Sequence, residues 1–528
     1  MPQTETALAQ PSGQDRIETQ PAWRQSVFRL RRAAFRKFPQ VFRDPEYQQM
    51  LTISREHDLQ DNANTTPPDD ERIELQCVWT IEFYTPSHID GLLGGLSTLG
   101  WNRHDDGIAG RDPVLWVRNI RERTSGGGWL NLGVIERPGK SRFLGARRSA
   151  PLPEGVEYAL GQIFALTSSI TCVAICFVVA EDQSTRLDAA LRSKRETYFV
   201  RKGRGYSIFG PSSQKRDAID AIRANIRAST ADWFRKHLPG LFSSGVLNGE
   251  FPTAELVTLR AMPPFPQRQE GGPRTPEYLH LLDVDYDVHA WDAVEIPGLK
   301  FSWPSMRDQR NRFHAILAAA ETDLQGEKLQ PYGDHDRSSK VFFVNEHVQG
   351  LLSRWALLAL LAGYERHLNA IRDSATFRPA GREKPLRQLG RLSELISRSA
   401  DMAAVSSELR RATEPDGRLD RNVETFKPCD VRFYKDKQIT LGKSLANNIA
   451  DRAAWLEAAD RSVRDLLGEY AAILSAYENL KRQRQIRRLT VIMLALTIVT
   501  VWFAAENSKY LPGVLSCLSN WADCRLAR

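Results

Sequence analysis

The chain has 528 residues, of which 72 are Lys or Arg and 64 are Asp or Glu, for a net charge of +8. An apolar share of 42% with 26% charged residues is that of a folded protein, with room for roughly two to four domains; a wholly disordered chain is excluded. So small a basic excess does not by itself call for a nucleic-acid partner.

Residues 1–22 are polar and rich in Gln, Thr and Pro, which predicts a disordered N-terminus without the apolar core of a secretory signal. Residues 23–72 read as a basic helix and linker. The stretch WRQSVFRLRRAAFRKFPQVFRD could lie on an anionic membrane or pack on its own domain. Packing is favoured because Pro39 interrupts the pattern. Pro67-Pro68-Asp69-Asp70 marks the linker.

Residues 73–310 are expected to form an α+β cytoplasmic domain. Leu75–Tyr84 alternates as a strand, with Cys77, Trp79, Ile81 and Phe83 on one side. A helix is expected over His88–Leu99. Two strands, Val114–Ile120 and Trp129–Glu136, are expected around a hairpin loop at Ser125–Gly128. The apolar run Ile170–Ala180 suits a buried strand and holds Cys172 and Cys176 as small core residues. Ser212 or Ser213 can cap a helix over Gln214–His237. Strand-like pieces follow at Ala254–Arg260, Tyr278–His289 and Leu299–Trp303. Val348–Asp373 and Leu386–Thr413 then read as helical.

Residues 340–488 are expected to form a helical bundle and a coiled-coil stalk. Leu456, Val463, Tyr470 and Tyr477 recur every seven residues, and Ala459, Leu466, Ile473 and Leu480 recur at the complementary offset. Such a seam can close within one chain or between copies, which makes a homo-oligomer one of its two outcomes. No proline interrupts Ile449–Ala505. Leu489–Ala505 contains no charge, and at 1.5 Å per residue it spans about 25 Å, enough for one transmembrane helix. The basic collar Lys481, Arg482, Arg484, Arg487 and Arg488 precedes it, while only Lys509, Arg525 and Arg528 follow. That bias predicts a cytoplasmic N-terminal side, contact of the collar with membrane lipids, and a short extracytoplasmic tail over 506–528. Cys517 and Cys524 in that tail could close a small loop. The whole reads as an α+β cytoplasmic domain followed by a helical bundle or stalk and one C-terminal transmembrane helix.

This layout resembles that of the CorA-type magnesium transporters. The resemblance is carried by Glu478-Asn479-Leu480 to Phe503 and the helix before it, roughly the last fifth of the chain. It implies an oligomeric stalk entering a membrane. The family's Gly-Met-Asn signature is missing, with Trp502-Phe503-Ala504-Ala505 in its place, and no second span follows. No ion-selectivity residue carries over.

The sharpest chemical pattern is Asp283, Asp285, Asp287 and His289. On a strand these would share one face and offer oxygen and imidazole ligands to a divalent metal such as Mg, Mn or Zn. A solvated strand face gives the same pattern. Asp334-His335-Asp336 reads as a turn with local capping. Gly91–Gly100 and Gly126–Gly128 lack a P-loop's Lys-Ser/Thr end, and no CxxC pair suggests a zinc ribbon. Val200–Tyr206 is a basic stretch that reads as a solvated linker before it reads as a phosphate or RNA contact. Ser212-x-x-Lys215 lacks the companion motifs of a penicillin enzyme. No catalytic motif and no small-molecule ligand emerge. Three function classes therefore remain: a self-associating membrane-anchored sensor, scaffold or effector; an oligomeric ion channel or transporter subunit; and a metal-dependent enzyme using the aspartate face.

Overall fold

The computed structural model describes residues 22–38, 45–102, 112–123, 127–140, 147–202, 205–245, 247, 250–267, 275–286, 289–303, 313–325, 327–333, 336–375, 390, 394, 400–414, 417, 419, 426–430 and 438–506. Three helices open it: α1 (Ala22–Lys37), α2 (Pro45–Glu56) and α3 (Asp58–Asn64). The sheet-bearing part runs β1 (Ile73–Tyr84), α4 (Ile89–Thr98), α5 (Pro113–Glu122), β2 (Gly128–Glu136), β3 (Arg147–Ser149), β4 (Val156–Ala165), β5 (Thr171–Val179) and α6 (Glu181–Arg192). It continues with β6 (Tyr198–Lys202), β7 (Gly205–Phe209), α7 (Pro211–His237), β8 (Thr253–Leu259), α8 (Glu277–Leu281), β9 (Trp291–Ala293), β10 (Lys300–Ser302) and β11 (His314–Ala320). Helices α9 (Arg337–Ala375) and α10 (Ala400–Ala412), strand β12 (Phe426–Pro428) and helix α11 (Leu441–Glu506) complete it.

Ten strands form one sheet in the order β12-β9-β10-β11-β8-β1-β5-β4-β2-β3, and β6 pairs with β7 as a separate hairpin. Neighbours are antiparallel except β8 with β11 and β2 with β3. Strands β5, β8 and β11 are buried along their whole length, because helices cover both faces there. On one face, Leu187 of α6 and Ile219 and Ile226 of α7 pack over Val78, Val257 and Ile316. On the other, Val344, Leu352 and Trp355 of α9 pack over Trp79, Phe301 and Leu317. The α+β expectation is met, and the edge strand β12 comes from the otherwise helical C-terminal half.

Two expected strands are helical. Val114–Ile120 lies in α5, because Asp112 caps it, accepting from Val114 N at 2.8 Å and Leu115 N at 3.3 Å, with Pro113 in the first turn. Val114, Val117 and Ile120 are then buried at helical spacing, so β-branched side chains disguised a helix. Gly127 and Gly128 accordingly join a helix to a strand. The described part of Tyr278–His289 is also no strand, and Asp287 and Val288 lie outside the described residues. It begins as α8 and is stopped by Asp283, whose φ of 60° is left-handed. Strand β4, the β6–β7 hairpin and β11 were not expected. Of the basic stretch at 200–206, Val200–Lys202 and Gly205–Tyr206 lie in that hairpin, and Gly203 and Arg204 lie outside the described residues.

Helix α11 has 66 residues, and its surroundings change along its length. It packs on α9 and α10 through Leu441, Leu445, Ile449, Ala453 and Leu456, all buried. Beyond Leu467 the chain no longer covers it. Its apolar end is exposed all round, and Thr490 and Thr497 donate to the carbonyls of Ile486 and Met493 at 2.8 Å, so their hydroxyls are satisfied without water. Among the described residues it is the one helix long and apolar enough to cross a membrane.

Candidate functional site

A cleft of about 810 Å³ lies between α9 and the β2–β4 end of the sheet. Its walls follow from two local features. Strands β2 and β4 lie beside each other with Asn131 opposite Gln162, and a bulge at Gly133 bends β2 where Gly133 N donates to Asn131 Oδ1 at 2.7 Å. Helix α9 is apolar along the side that meets the sheet, except that Asn345, Gln349 and Ser353 recur every four residues on one stripe. That stripe faces the cleft.

The amides are oriented by the core beneath them. The indole N–H of Trp79 can only donate, and it reaches Asn345 Oδ1 at 2.9 Å. Gln349 Nε2 donates to the same oxygen at 2.6 Å. The assignment of both carboxamides is thereby fixed, with Asn345 Nδ2 and Gln349 Oε1 left to the cleft. Gln162 makes no hydrogen bond within the described protein. Trp129, Phe164 and Phe342 supply aromatic surface, and Trp129 is 63% exposed at the rim. Two opposite charges, Glu346 and Arg354, complete the lining. Tyr332 donates to Glu346 Oε2 at 2.5 Å, and burial together with that carboxylate pushes the phenol up to about 12. The arrangement can read the edge of a small molecule by hydrogen bonds.

A second polar cluster lies on the opposite face of the sheet and is closed. The buried stripe of α7 includes Arg223 between Ile219 and Ile226, and β8 carries Glu255 in an otherwise uncharged, fully buried strand. Arg223 Nη2 meets Glu255 Oε1 at 2.7 Å and His314 Nε2 meets Glu255 Oε2 at 3.1 Å. Burial opposes the Glu255 charge, but Arg223 and His314 win and hold the carboxyl down at about 2. Burial takes His314 down to about 4 against the pull of Glu255, so the ring is neutral at pH 7. Thr253 Oγ1 lies 2.9 Å from the other ring nitrogen.

Of the residues singled out in the sequence, Asp283 joins this cluster. Asp283 is gripped by Arg216 and lies 3.6 Å from Arg223 Nη1, with burial outweighing both cations and raising its pKa. Asp285 pairs with His280. His289 is exposed in a separate turn, and Asp287 lies outside the described residues. Among the described residues no three His, Cys, Asp or Glu side chains converge as metal ligands. Asp336 caps the start of α9, accepting from Ser339 N at 2.8 Å; Asp334 and His335 lie outside the described residues. Lys215 is buried and donates to Thr66 at 2.9 Å.

The seam residues divide between two environments. Leu456 is fully buried, and Ala459 and Val463 pack against the same core. Leu466, Ile473, Tyr477 and Leu480 are 42%, 65%, 58% and 55% exposed. The side chain of Tyr470, together with Cys517 and Cys524, lies outside what is described. The collar from Lys481 to Arg488 is exposed throughout. Sequence reasoning missed the cleft and the ionic cluster. The signal for both was polar residues at buried helix positions: Asn345, Gln349 and Ser353 in α9, and Arg223 in α7. Comparison with models of known protein families and with curated proteins finds no match.

Proposed function

We propose that the chain is a single-pass membrane protein with a cytoplasmic N-terminal domain, acting as a self-associating sensor or scaffold and not as an enzyme. One observation carries the reading. The apolar repeat of α11 continues past the point where the chain covers it, as far as Leu480, and the helix itself runs on through the basic collar into the uncharged segment after Arg488. Leaving Ile473, Tyr477 and Leu480 in water forgoes on the order of 1.5–3 kcal/mol for each side chain that a partner could bury. A second copy in register offers the same stripe. The collar Lys481, Arg482, Arg484, Arg487 and Arg488 supports the orientation, since basic residues concentrate on the cytoplasmic side of a span.

Full-length protein in native membranes tests this reading. It is expected to resist an alkaline carbonate wash. Ile473→Cys or Leu480→Cys should give disulfide-linked dimers on mild oxidation, while Leu456→Cys, enclosed by its own domain, should not. Release by the wash would end the anchor. Monomer only from both exposed positions would end the self-association.

A further inference from the structure

We propose that the cleft between α9 and strands β2 and β4 binds an uncharged, planar heterocycle, a nucleobase or its nucleoside. Asn345 is 8% exposed and Gln349 2%, yet Asn345 Nδ2 and Gln349 Oε1 have no partner within the described protein. Neither atom is among the sealed-off polar atoms, so both look into the cleft. Buried amide groups left unpaired are costly, and a donor and an acceptor held one helical turn apart are complementary to a ligand edge with an acceptor beside a donor. The lactam edge of uracil or guanine and the amino-imine edge of adenine or cytosine have that pattern. Trp79 locks the amide orientation from below, so the pair is preorganised. Gln162, on the facing strand, adds a carboxamide that makes no hydrogen bond within the described protein.

Shape and charge narrow the class. Trp129, Phe164 and Phe342 offer flat apolar surface to a ring, and about 810 Å³ is ample for a nucleoside. The lining charges are one Glu346 and one Arg354, which sum to zero. A triphosphate would need several cations that the lining does not provide.

Calorimetry on the full-length protein in lipid nanodiscs tests the proposal, with adenosine, guanosine, cytidine, uridine, ATP and glucose as probes. At least one nucleoside should bind, about tenfold or more tightly than ATP, and Gln349→Leu should weaken it about tenfold. Gln162→Leu should weaken it too, and it serves if Gln349→Leu does not fold. Absence of nucleoside binding up to about 1 mM, binding of glucose or ATP as tight as any nucleoside, or a Kd unmoved by the folded variants would overturn the assignment. Membrane association and dimer crosslinking are untouched by any of these outcomes, so the anchor reading stands or falls separately.

Discussion

The two faces of the central sheet each admit polar groups into a buried layer, but they treat them differently. Under α7 and α8, Arg223, Glu255, Asp283 and His314 answer one another, and the cluster is closed to solvent apart from the partly exposed Arg216 and Asp283. Under α9, Asn345 and Gln349 answer each other with one atom apiece and present the remaining atoms to an open cleft. On the closed face the charges are held by ion pairing within the chain, whereas on the open face two amide atoms are turned to a cavity. The contrast is between charges paired inside the chain and amide atoms that a ligand can reach.

The largest expected effect comes from breaking the closed face. Arg223→Met removes the cation paired with the fully buried Glu255 and leaves that carboxylate in a dry site, while Asp283 keeps Arg216. The expected loss is about 3–5 kcal/mol in denaturant unfolding, far above a surface substitution. Wild-type stability would mean that water enters the cluster and that the two faces do not differ.

Acid should act on the same face. The neutral ring of His314 has its pKa lowered from 6.5 to about 4, so the unfolded chain binds more protons between those values, and stability falls as the pH drops through that window. Glu255, lowered from 4.5 to about 2, extends the loss further down. Glu82 acts in the opposite direction. Burial raises it from 4.5 to about 7 despite hydrogen bonds from Phe242, Ser243 and Phe83, so it favours folding at the lower end of that range. The difference between wild type and His314→Gln isolates the histidine. Their stability gap should change by on the order of 2 kcal/mol between pH 7 and pH 4. A gap independent of pH would show that His314 is not held neutral.

Much of the architecture was legible because burial imposes periodicity. Strands β1, β2, β5 and β8 and helices α4, α7 and α9 fall where alternation or helical spacing places them. Helix α5 was misread because Val114, Val117 and Ile120 are strand-forming types, and the deciding contact is the Asp112 cap. Asp283 was misread because alternation around it continues after the chain has turned, and no local pattern announces a left-handed residue. The cleft depends on strands 130–165 meeting a helix near residue 345, a contact between segments almost two hundred residues apart. Helix α11 shows the same limit from the other side. Leu456 and Ile473 hold equivalent kinds of position in one heptad pattern, yet one is enclosed by α9 and α10 and the other is bare. A repeat states that a face wants a partner, and tertiary structure decides which half already has one.

The smallest expected change is on the open face, and it is the most discriminating. The carboxamide of Gln162 makes no hydrogen bond within the described protein, and its side chain is only partly covered. Replacing it with Leu removes a polar group that the fold does not use and keeps a similar volume against Phe164 and Leu160. Folding stability of Gln162→Leu is therefore expected within about 0.5 kcal/mol of wild type, by the same denaturant measurement that registers Arg223→Met. A loss much above 1 kcal/mol would place Gln162 in the scaffold, since only an amide that already serves the fold is costly to remove. A neutral substitution is what the proposed role of Gln162 in the cleft requires, since its amide is then not needed by the fold.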